Sequence, residues 1–305
     1  MTIANGAQHS LNYVAEVTYG TTPVDPTWLS CPHTGTTLAM SKDALESEKL
    51  RGDRQIEDFR HGNKSIGGDF SAELEYSSLD DILEATFCGT WTADVLKTGV
   101  TRRSFTFESK FGDLAVPEYH RYTGSEITSM SMSIAPNAMV TTSFTVVGQD
   151  LTLNTTELAN STYVPDGDFS PFDSFTGTIS EGGVTIGVVT SLELTLENGL
   201  EPLFAVGSPI TIRPSIGKSR LTGTLTTYFE NKTLYQKFIN ETASSISCTL
   251  IDPAGNSYQI DLGNVKYNSG QPDVTGEGAI TIPMDFVGLY DTIDDSNIVI
   301  TRTSV

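Results

Sequence analysis

The chain has 305 residues, with 18 Lys and Arg against 38 Asp and Glu, and a formal net charge of −20. A groove that binds nucleic acid through its phosphates needs clustered Lys and Arg, so this balance argues against that class of protein. The hydrophobic content of 38% is enough for a core, and the length indicates two domains or one large β domain. No apolar run reaches the ~20 residues that cross a bilayer, and the N-terminus lacks a signal-peptide pattern, so we expect no membrane association.

Alternation of apolar and polar residues dominates the chain and predicts a mainly β protein. In chain order, strands are predicted over 65–76, 104–108, 127–134, 139–147, 175–179, 185–196, 221–229, 246–251, 258–265 and 278–287. Helical periodicity predicts two short helices, Ser78–Phe87 and Lys232–Asn240, with Ser78 and Asn231 as N-caps. One short helix therefore falls in each half of the chain.

The two halves carry an internal repeat. Gly68–Leu79 aligns with Gly223–Leu234 at an offset of 155 residues. Val140–Gly148 aligns with Ile280–Gly288 at an offset of 140 residues, so the halves differ by an insertion. The matches occur in the same order in both halves, which predicts a tandem duplication of one β domain.

This repeat sets the expected domain organisation. The first domain is predicted at 1–153 and the second at 173–305. The segment 154–172 is rich in Asn, Thr, Ser, Asp and Pro and has little periodicity, which is typical of an inter-domain linker.

A charged loop is predicted at 42–64, where six basic and six acidic residues lie within 23 positions. Its charges cancel, so the other 282 residues carry the whole excess of −20. A solvated loop is one interpretation, since exposed single ion pairs stabilise by at most ~1 kcal/mol. A docking loop that contacts another subunit is the other, because mixed charges set register at interfaces and apolar side chains supply anchors. The candidate contact residues are Leu45, Glu46, Glu48, Lys49, Arg51, Asp53, Arg54, Glu57, Asp58, Phe59 and Arg60.

No pattern for catalysis, a cofactor or a metal is present in the sequence. The histidines and cysteines are dispersed, without zinc-site or CxxC spacing, at His9, His33, His61, His120, Cys31, Cys88 and Cys248. Asp80 and Asp81 are adjacent, so they cannot face each other across a cleft, and we expect them in the first turn of a helix. We therefore expect reduced cysteines, no cofactor, no metal and no enzyme activity.

Four stretches of the first half resemble one known family. They read AEVTYGTTP at 15–23, RGDRQ at 51–55, GNKSIGGDFSAELEYSSLDDILEA at 62–85 and YHRYTGSEITSMSMSIAPNAMVTTSFTVVG at 119–148. These motifs look like those of the major tail tube proteins of long-tailed bacteriophages with non-contractile, siphovirus-type tails. The resemblance covers residues 11–148 and reaches the second half through the internal repeat.

This resemblance implies two tandem β-sandwich or barrel-like domains, each with one short flanking helix. Subunits of such proteins close into rings, their inner strands join into a barrel around a lumen, and a long loop contacts the next ring. The family pattern is six domains per ring. A duplicated chain then implies a homo-oligomeric ring of three chains with pseudo-sixfold symmetry, and a ring of six chains is the alternative.

The implied function is that of a structural virion protein whose stacked rings form the tail tube, the conduit for DNA delivery into the host cell. The implied partners are further copies of the chain and other tail proteins (tape measure, terminator and distal tail), with assembly in the bacterial cytoplasm. Viral DNA would pass without specific binding, because acidic walls repel phosphate. The strands expected to line the lumen are Ser129–Ile134, Val140–Val147 and the run that ends in Ile280–Val287.

Two other classes of function stay open at this point. A carbohydrate-binding or adhesive β-sandwich would use Trp28, Trp91 and the tyrosines as stacking platforms and would remain a monomer. A glycoside hydrolase would need an essential carboxylate in an acidic cleft.

Overall fold

A computed structural model of the chain describes residues 3–50, 52–174, 176–272, 274 and 276–305. It confirms the prediction of a mainly β protein with one short helix in each half. The helices are α1 (Asp80–Phe87) and α2 (Thr233–Ile239), and a single 3-10 turn at Gly6–Gln8 precedes the first strand.

The strands follow the predicted runs closely in the middle of each half. Those of the first half are β1 (His9–Ala15), β2 (Thr27–Ser30), β3 (Gly35–Thr36), β4 (Ala39–Glu46), β5 (Phe59–Glu73), β6 (Val95–Lys97), β7 (Phe105–Phe111), β8 (Glu118–Ile134), β9 (Thr141–Gly148), β10 (Asp150–Asn154) and β11 (Thr162–Val164). Those of the second half are β12 (Thr178–Glu181), β13 (Val184–Thr185), β14 (Val189–Glu197), β15 (Glu201–Leu203), β16 (Ile212–Ser215), β17 (Arg220–Tyr228), β18 (Ser244–Ile251), β19 (Ser257–Tyr267), β20 (Thr281–Gly288) and β21 (Val299–Thr303).

Both predicted helix caps are wrong. Leu79 occupies the N-cap position of α1, one residue after Ser78. Lys232 occupies the N-cap position of α2, one residue after Asn231. The side chain of Asn231 still accepts a hydrogen bond from the backbone N–H of Thr233, at 2.8 Å. It therefore satisfies one of the free N–H groups at the start of α2 from one position further out.

The first half is built around β8, which has 17 residues and runs through two sheets. Its N-terminal part lies between β7 and β10, and β1, β2 and β11 continue that sheet beyond β7. Its C-terminal part pairs with β9, which pairs with β5, which pairs with β4. All these pairings are antiparallel except that of β11 with β2.

The second half has the same order of pairings around β19. The strands β14, β17, β20 and β19 pair in sequence, β18 and β21 flank the N-terminal part of β19, and β12 continues beyond β18. The helix follows the matching strand in each half, β5 or β17. The segment after α1, residues 88–104, contains β6 and is longer than the segment after α2, residues 240–243. The predicted domain boundaries stay a prediction.

A direct strand pairing joins the halves. The C-terminal part of β8 pairs with β14, from Ile134 opposite Leu192 to Ser129 opposite Glu197. We call the resulting continuous sheet, β4–β5–β9–β8–β14–β17–β20, the central sheet. A second junction pairs β6 with β21. The predicted linker, 154–172, contains β11 and ends at Phe172, whose side chain is fully buried.

The main core lies under one face of the central sheet. One row of in-register apolar residues crosses five strands, and all of them are buried: Phe70, Phe144, Met130, Leu196 and Leu221. Because this row continues across the junction of β8 and β14, the two halves share one core. Burial of such a row on one face is the source of the period-2 pattern in the sequence.

Candidate assembly surfaces

The second face of the central sheet is open. Along β9, Phe144 and Val146 are buried in the core, whereas Thr141, Ser143 and Thr145 lie on the opposite face and are exposed or half-buried. The same alternation holds in β14 and β20. Since successive side chains of a strand point to opposite faces, the polar positions of all these strands share one surface, which we call the open face.

Cross-strand register sorts the open face into rows. The first row runs from β20 to β5 through Asp285, Thr224, Glu193, Ser133, Thr141 and Glu73. The second row has Val287, Thr222, Thr195, Ser131, Ser143 and Ser71. The third row has Arg220, Glu197, Ser129, Thr145 and Asp69. Hydroxyl and carboxylate groups thus make up nearly the whole surface.

The charge on these rows is strongly one-sided. Arg220 is the one cation in the three rows, against five carboxylates: Asp69, Glu73, Glu193, Glu197 and Asp285. The Thr224 hydroxyl donates to Asp285 Oδ1 at 2.7 Å and holds this carboxylate in place. The surface is polar and anionic and would repel phosphate at short range. The strands predicted to line a lumen all contribute to it, at β8, β9 and β20.

The central sheet has unpaired edges at both ends. Within the described part of the chain, β4 pairs only with β5, and its residues from Ser41 to Glu46 are exposed. The matching strand of the second half, β14, is paired on both sides. At the far end, β19 covers β20 only opposite Phe286–Gly288. Unpaired edges of this kind are where a further strand can add.

The predicted charged loop, 42–64, is in large part a strand hairpin, which we call the first hairpin. Lys42 lies opposite Lys64 and Glu46 opposite Phe59, so only residues 47–58 form the connection. The prediction of a loop was wrong in this respect because neither arm buries one of its faces: residues 42–46 and 59–61 are exposed, and residues 62–64 are half-buried. Strands that bury neither face have no apolar period for sequence reasoning to detect.

Every predicted contact residue that the structure describes lies on the first hairpin and is exposed: Leu45, Glu46, Glu48, Lys49, Asp53, Arg54, Glu57, Asp58, Phe59 and Arg60. Arg51 lies outside the described residues. Two ion pairs connect neighbours on the hairpin, Lys49 with Glu57 at 3.0 Å and Arg60 with Asp58 at 3.1 Å. The apolar Leu50 is 97% exposed. The structure brings these groups together on one projection but does not cover them.

The second hairpin, residues 198–219, occupies the matching place in the second half and is docked on the first half. The backbone N–H of Lys64 donates to the carbonyl of Pro209 at 2.7 Å. Arg213 Nε donates to Glu126 Oε1 at 2.7 Å, and Glu126, only 3% exposed, also binds Arg102. Sequence reasoning missed these contacts because the partners are far apart along the chain and neither carries a motif.

The histidines, the cysteines and the Asp80–Asp81 pair are the candidate chemical groups of the sequence. Among the described residues, no cluster of three His, Cys, Asp or Glu side chains is suited to hold a metal ion. The cysteines are buried and unpaired, and burial raises the pKa of Cys248 to about 12, which suppresses the reactive thiolate. Asp80 and Asp81 lie in the first turn of α1 as predicted, and Asp80 accepts a hydrogen bond from Tyr258 at 3.0 Å.

The two tryptophans are not open stacking platforms. Trp28 is fully buried, and the guanidinium of Arg302 lies 4.6 Å from the centre of the Trp91 ring. Trp28 is therefore closed to a sugar, and Arg302 occupies one side of Trp91. No helix in the described part of the chain has the length and apolar character needed to cross a bilayer.

The continuous sheet, its unpaired edges and its projecting hairpin are features of a structural protein that assembles with copies of itself. A family model described as phage tail tube protein matches residues 6–288. The chain therefore belongs to the phage tail tube protein family, whose members are structural components of the virion tail. A search of curated proteins gives no match.

Proposed function

We propose that this chain forms rings that stack into the tube of a siphovirus-type tail, and that the tube conducts DNA into the host cell. The observation that carries the proposal is the open face. It is a polar, anionic surface on a sheet that spans both halves and has unpaired edges at both ends. Joining such edges around an axis removes them and turns the open face into a continuous wall.

We further propose that the two halves are a tandem duplication and that three chains form one ring. The equal order of strand pairings in the two halves supports the duplication. Each chain would then supply four wall strands per half, β4, β5, β9 and β8 from the first and β14, β17, β20 and β19 from the second. Three chains would supply 24 strands to one barrel, with the halves in alternating positions.

Barrel dimensions favour three chains over six. At ~4.8 Å between strands and a tilt of roughly 40°, 24 strands close at a backbone diameter of about 50 Å. Six chains would double this diameter to about 100 Å. A DNA duplex with its hydration shell fits the narrower barrel, whereas the wider one would leave most of the lumen empty.

The carboxylates of the open face have a role in such a conduit. Carboxylates in the rows keep phosphate groups away from the wall, and the hydroxyls keep the surface hydrated. DNA can then slide without binding. The ends of the tube would meet other tail proteins (tape measure, terminator and distal tail), and the parts would assemble in the bacterial cytoplasm.

Electron microscopy of the concentrated purified chain tests this function. Negatively stained samples are expected to show rings and tubes of uniform width, and native mass spectrometry is expected to count three chains per ring. Rings of six chains would contradict the proposed stoichiometry. A persistent monomer whose melting temperature rises with added sugars would overturn the function and favour the adhesive alternative.

A further inference from the structure

The contact between the two halves is a template for the contact between two chains. In it, the second hairpin reaches β8 of the first half, where Arg213 binds the buried carboxylate of Glu126 at 2.7 Å. The guanidinium of Arg213 also lies 5.6 Å from the centre of the Tyr19 ring. A cation on the hairpin and an anion on the strand thus hold this contact together.

The second half presents a cation at the position that matches Glu126. Glu126 lies opposite Val147 on β9, and Lys266 lies opposite Val287 on β20. Both valines directly precede the glycine that ends their strand. Lys266 is exposed and makes no ion pair with any residue that the structure describes.

The first hairpin presents a carboxylate at the position that matches Arg213. Arg213 lies seven residues before Arg220, the first residue of β17. The residue of β5 that matches Arg220 is Ser65, and the residue seven positions before Ser65 is Asp58. Arg213 also lies 16 residues after Glu197, the last residue of β14. The residue of β4 that matches Glu197 is Ser41, and the residue 16 positions after Ser41 is Glu57. By either count, the residue of the first hairpin that matches Arg213 carries a carboxylate.

We infer that the first hairpin docks on the second half of a neighbouring copy, with Glu57 and Asp58 against Lys266 of that copy. This inference rests on the proposed ring, in which the halves alternate. It copies the contact within the chain with both charges reversed. The residues that meet Glu57 and Asp58 in the single chain, Lys49 and Arg60, are exposed neighbours on the same hairpin and are free to rearrange.

The reversal of charge gives the assembly a direction. On the first half of another copy, the matching site at Glu126 is already occupied by that copy's own Arg213 and Arg102, so a first hairpin finds no free cation there. Only the second half, with Lys266, accepts it. Copies are then joined head to tail with alternating halves. The contact of the first hairpin with a second half is favoured, and its contact with another first half is disfavoured.

Reversing the charge of Lys266 tests the inference. The Lys266→Glu variant is expected to keep the circular dichroism spectrum and melting temperature of the wild type. It should need at least about tenfold higher protein concentration to form rings, measured by sedimentation velocity. The matched control Lys232→Glu, which makes the same change at another exposed lysine of the second half, is expected to assemble like the wild type. Adding Glu57→Lys and Asp58→Lys to Lys266→Glu is expected to restore assembly.

The outcomes separate this inference from the proposed function. Rings from Lys266→Glu at wild-type concentrations would overturn the inference and leave the ring intact. An equal loss in Lys232→Glu, or no recovery in the triple variant, would also overturn the assignment of Lys266 to the hairpin. Failure of the wild type itself to form rings would overturn the proposed function. If Lys266→Glu lowers the melting temperature, the neutral Lys266→Gln is compared with Lys232→Gln in the same assay.

Discussion

His9 and His33 form a contact that a proton can break. His9 Nδ1 lies 2.9 Å from His33 Nε2, so one ring nitrogen donates and the other accepts. Burial, with the neighbouring charges of His33 and His120, lowers the pKa of His9 below its ordinary value of 6.5. The folded chain therefore favours the neutral form of His9, and mild acid acts against this part of the first half.

The sign of the resulting pH effect follows from that lowered pKa. As the pH falls below 6.5, His9 of the unfolded chain takes up a proton before His9 of the folded chain does. The contribution of His9 to stability is therefore fully present above pH 6.5 and is lost as the pH falls towards the lowered pKa of the folded chain. The melting temperature is expected to drop between about pH 7.5 and about pH 5.5, and His9→Gln should reduce this drop. His61→Gln, at an exposed histidine of the first hairpin, is the control and should not. An unchanged drop in His9→Gln would refute the assignment.

The two hairpins show how one element serves different contacts in the two halves. The second hairpin contacts the first half through Pro209 and Arg213, although its residues 201–207 are exposed. The predicted contact residues of the first hairpin that the structure describes are all exposed, and nothing described in the chain covers them. Glu57 and Asp58, at the end of the connection next to β5, would meet a neighbour in the same ring, and the rest of the connection extends beyond that contact. We therefore retain the hypothesis from the sequence that the tip reaches the next ring.

Charge reversal at the first hairpin separates stacking from folding. Arg54→Glu combined with Arg60→Glu is expected to leave the melting temperature within about 2 °C of the wild type, since single exposed ion pairs stabilise little. Rings should form, but stacked tubes should be lost, because the mixed charges of the first hairpin would no longer match their partners. Electron microscopy counts rings against tubes. Arg54→Lys with Arg60→Lys keeps the charges and should still form tubes, and normal tubes from the Glu variant would mean that the hairpin is only solvated.

The chain as a unit joins two similar halves into one sheet with an anionic side. Its net charge of −20 is placed outside the neutral first hairpin, and part of it lies on the open face. If that face lines the lumen, its charge decides whether DNA slides or binds. The three rows hold five carboxylates and one arginine per chain, so a few substitutions can reverse their charge.

Replacing Glu193 and Glu197 by Lys tests this role of the charge. Both residues are exposed on β14, so the variant should fold and assemble, but its tubes should retain short duplex DNA in a co-sedimentation assay. Retention should fall steeply as salt is raised, because it depends on phosphate contacts. Glu193→Gln with Glu197→Gln removes the anions without adding cations and should retain much less. Tubes of the Lys variant that release DNA at low salt would place these residues outside the lumen.

The alternation of apolar and polar residues predicted the strands that bury one face. It missed the strands that are very short or that bury neither face. β9, β14 and β20 alternate buried and polar residues, so their period of two is visible in the sequence. Short strands such as β2, β3 and β6 have two to four residues, too few for a period, and are held by their neighbours. The helix caps failed by one residue because the turns that precede the helices, with contacts elsewhere in the fold, decide where each helix begins.

The sequence by itself determined the mainly β character, the two short helices and the family, because these depend on residues close together in the chain. Only the tertiary structure decided that β8 pairs with β14, that the polar positions of six strands form three anionic rows, and that Arg213 meets Glu126. These features depend on the register between strands tens of residues apart. A shift of two residues in that register would keep every side chain on its own face but place other residues opposite each other, and the period of two within each strand is the same for both registers.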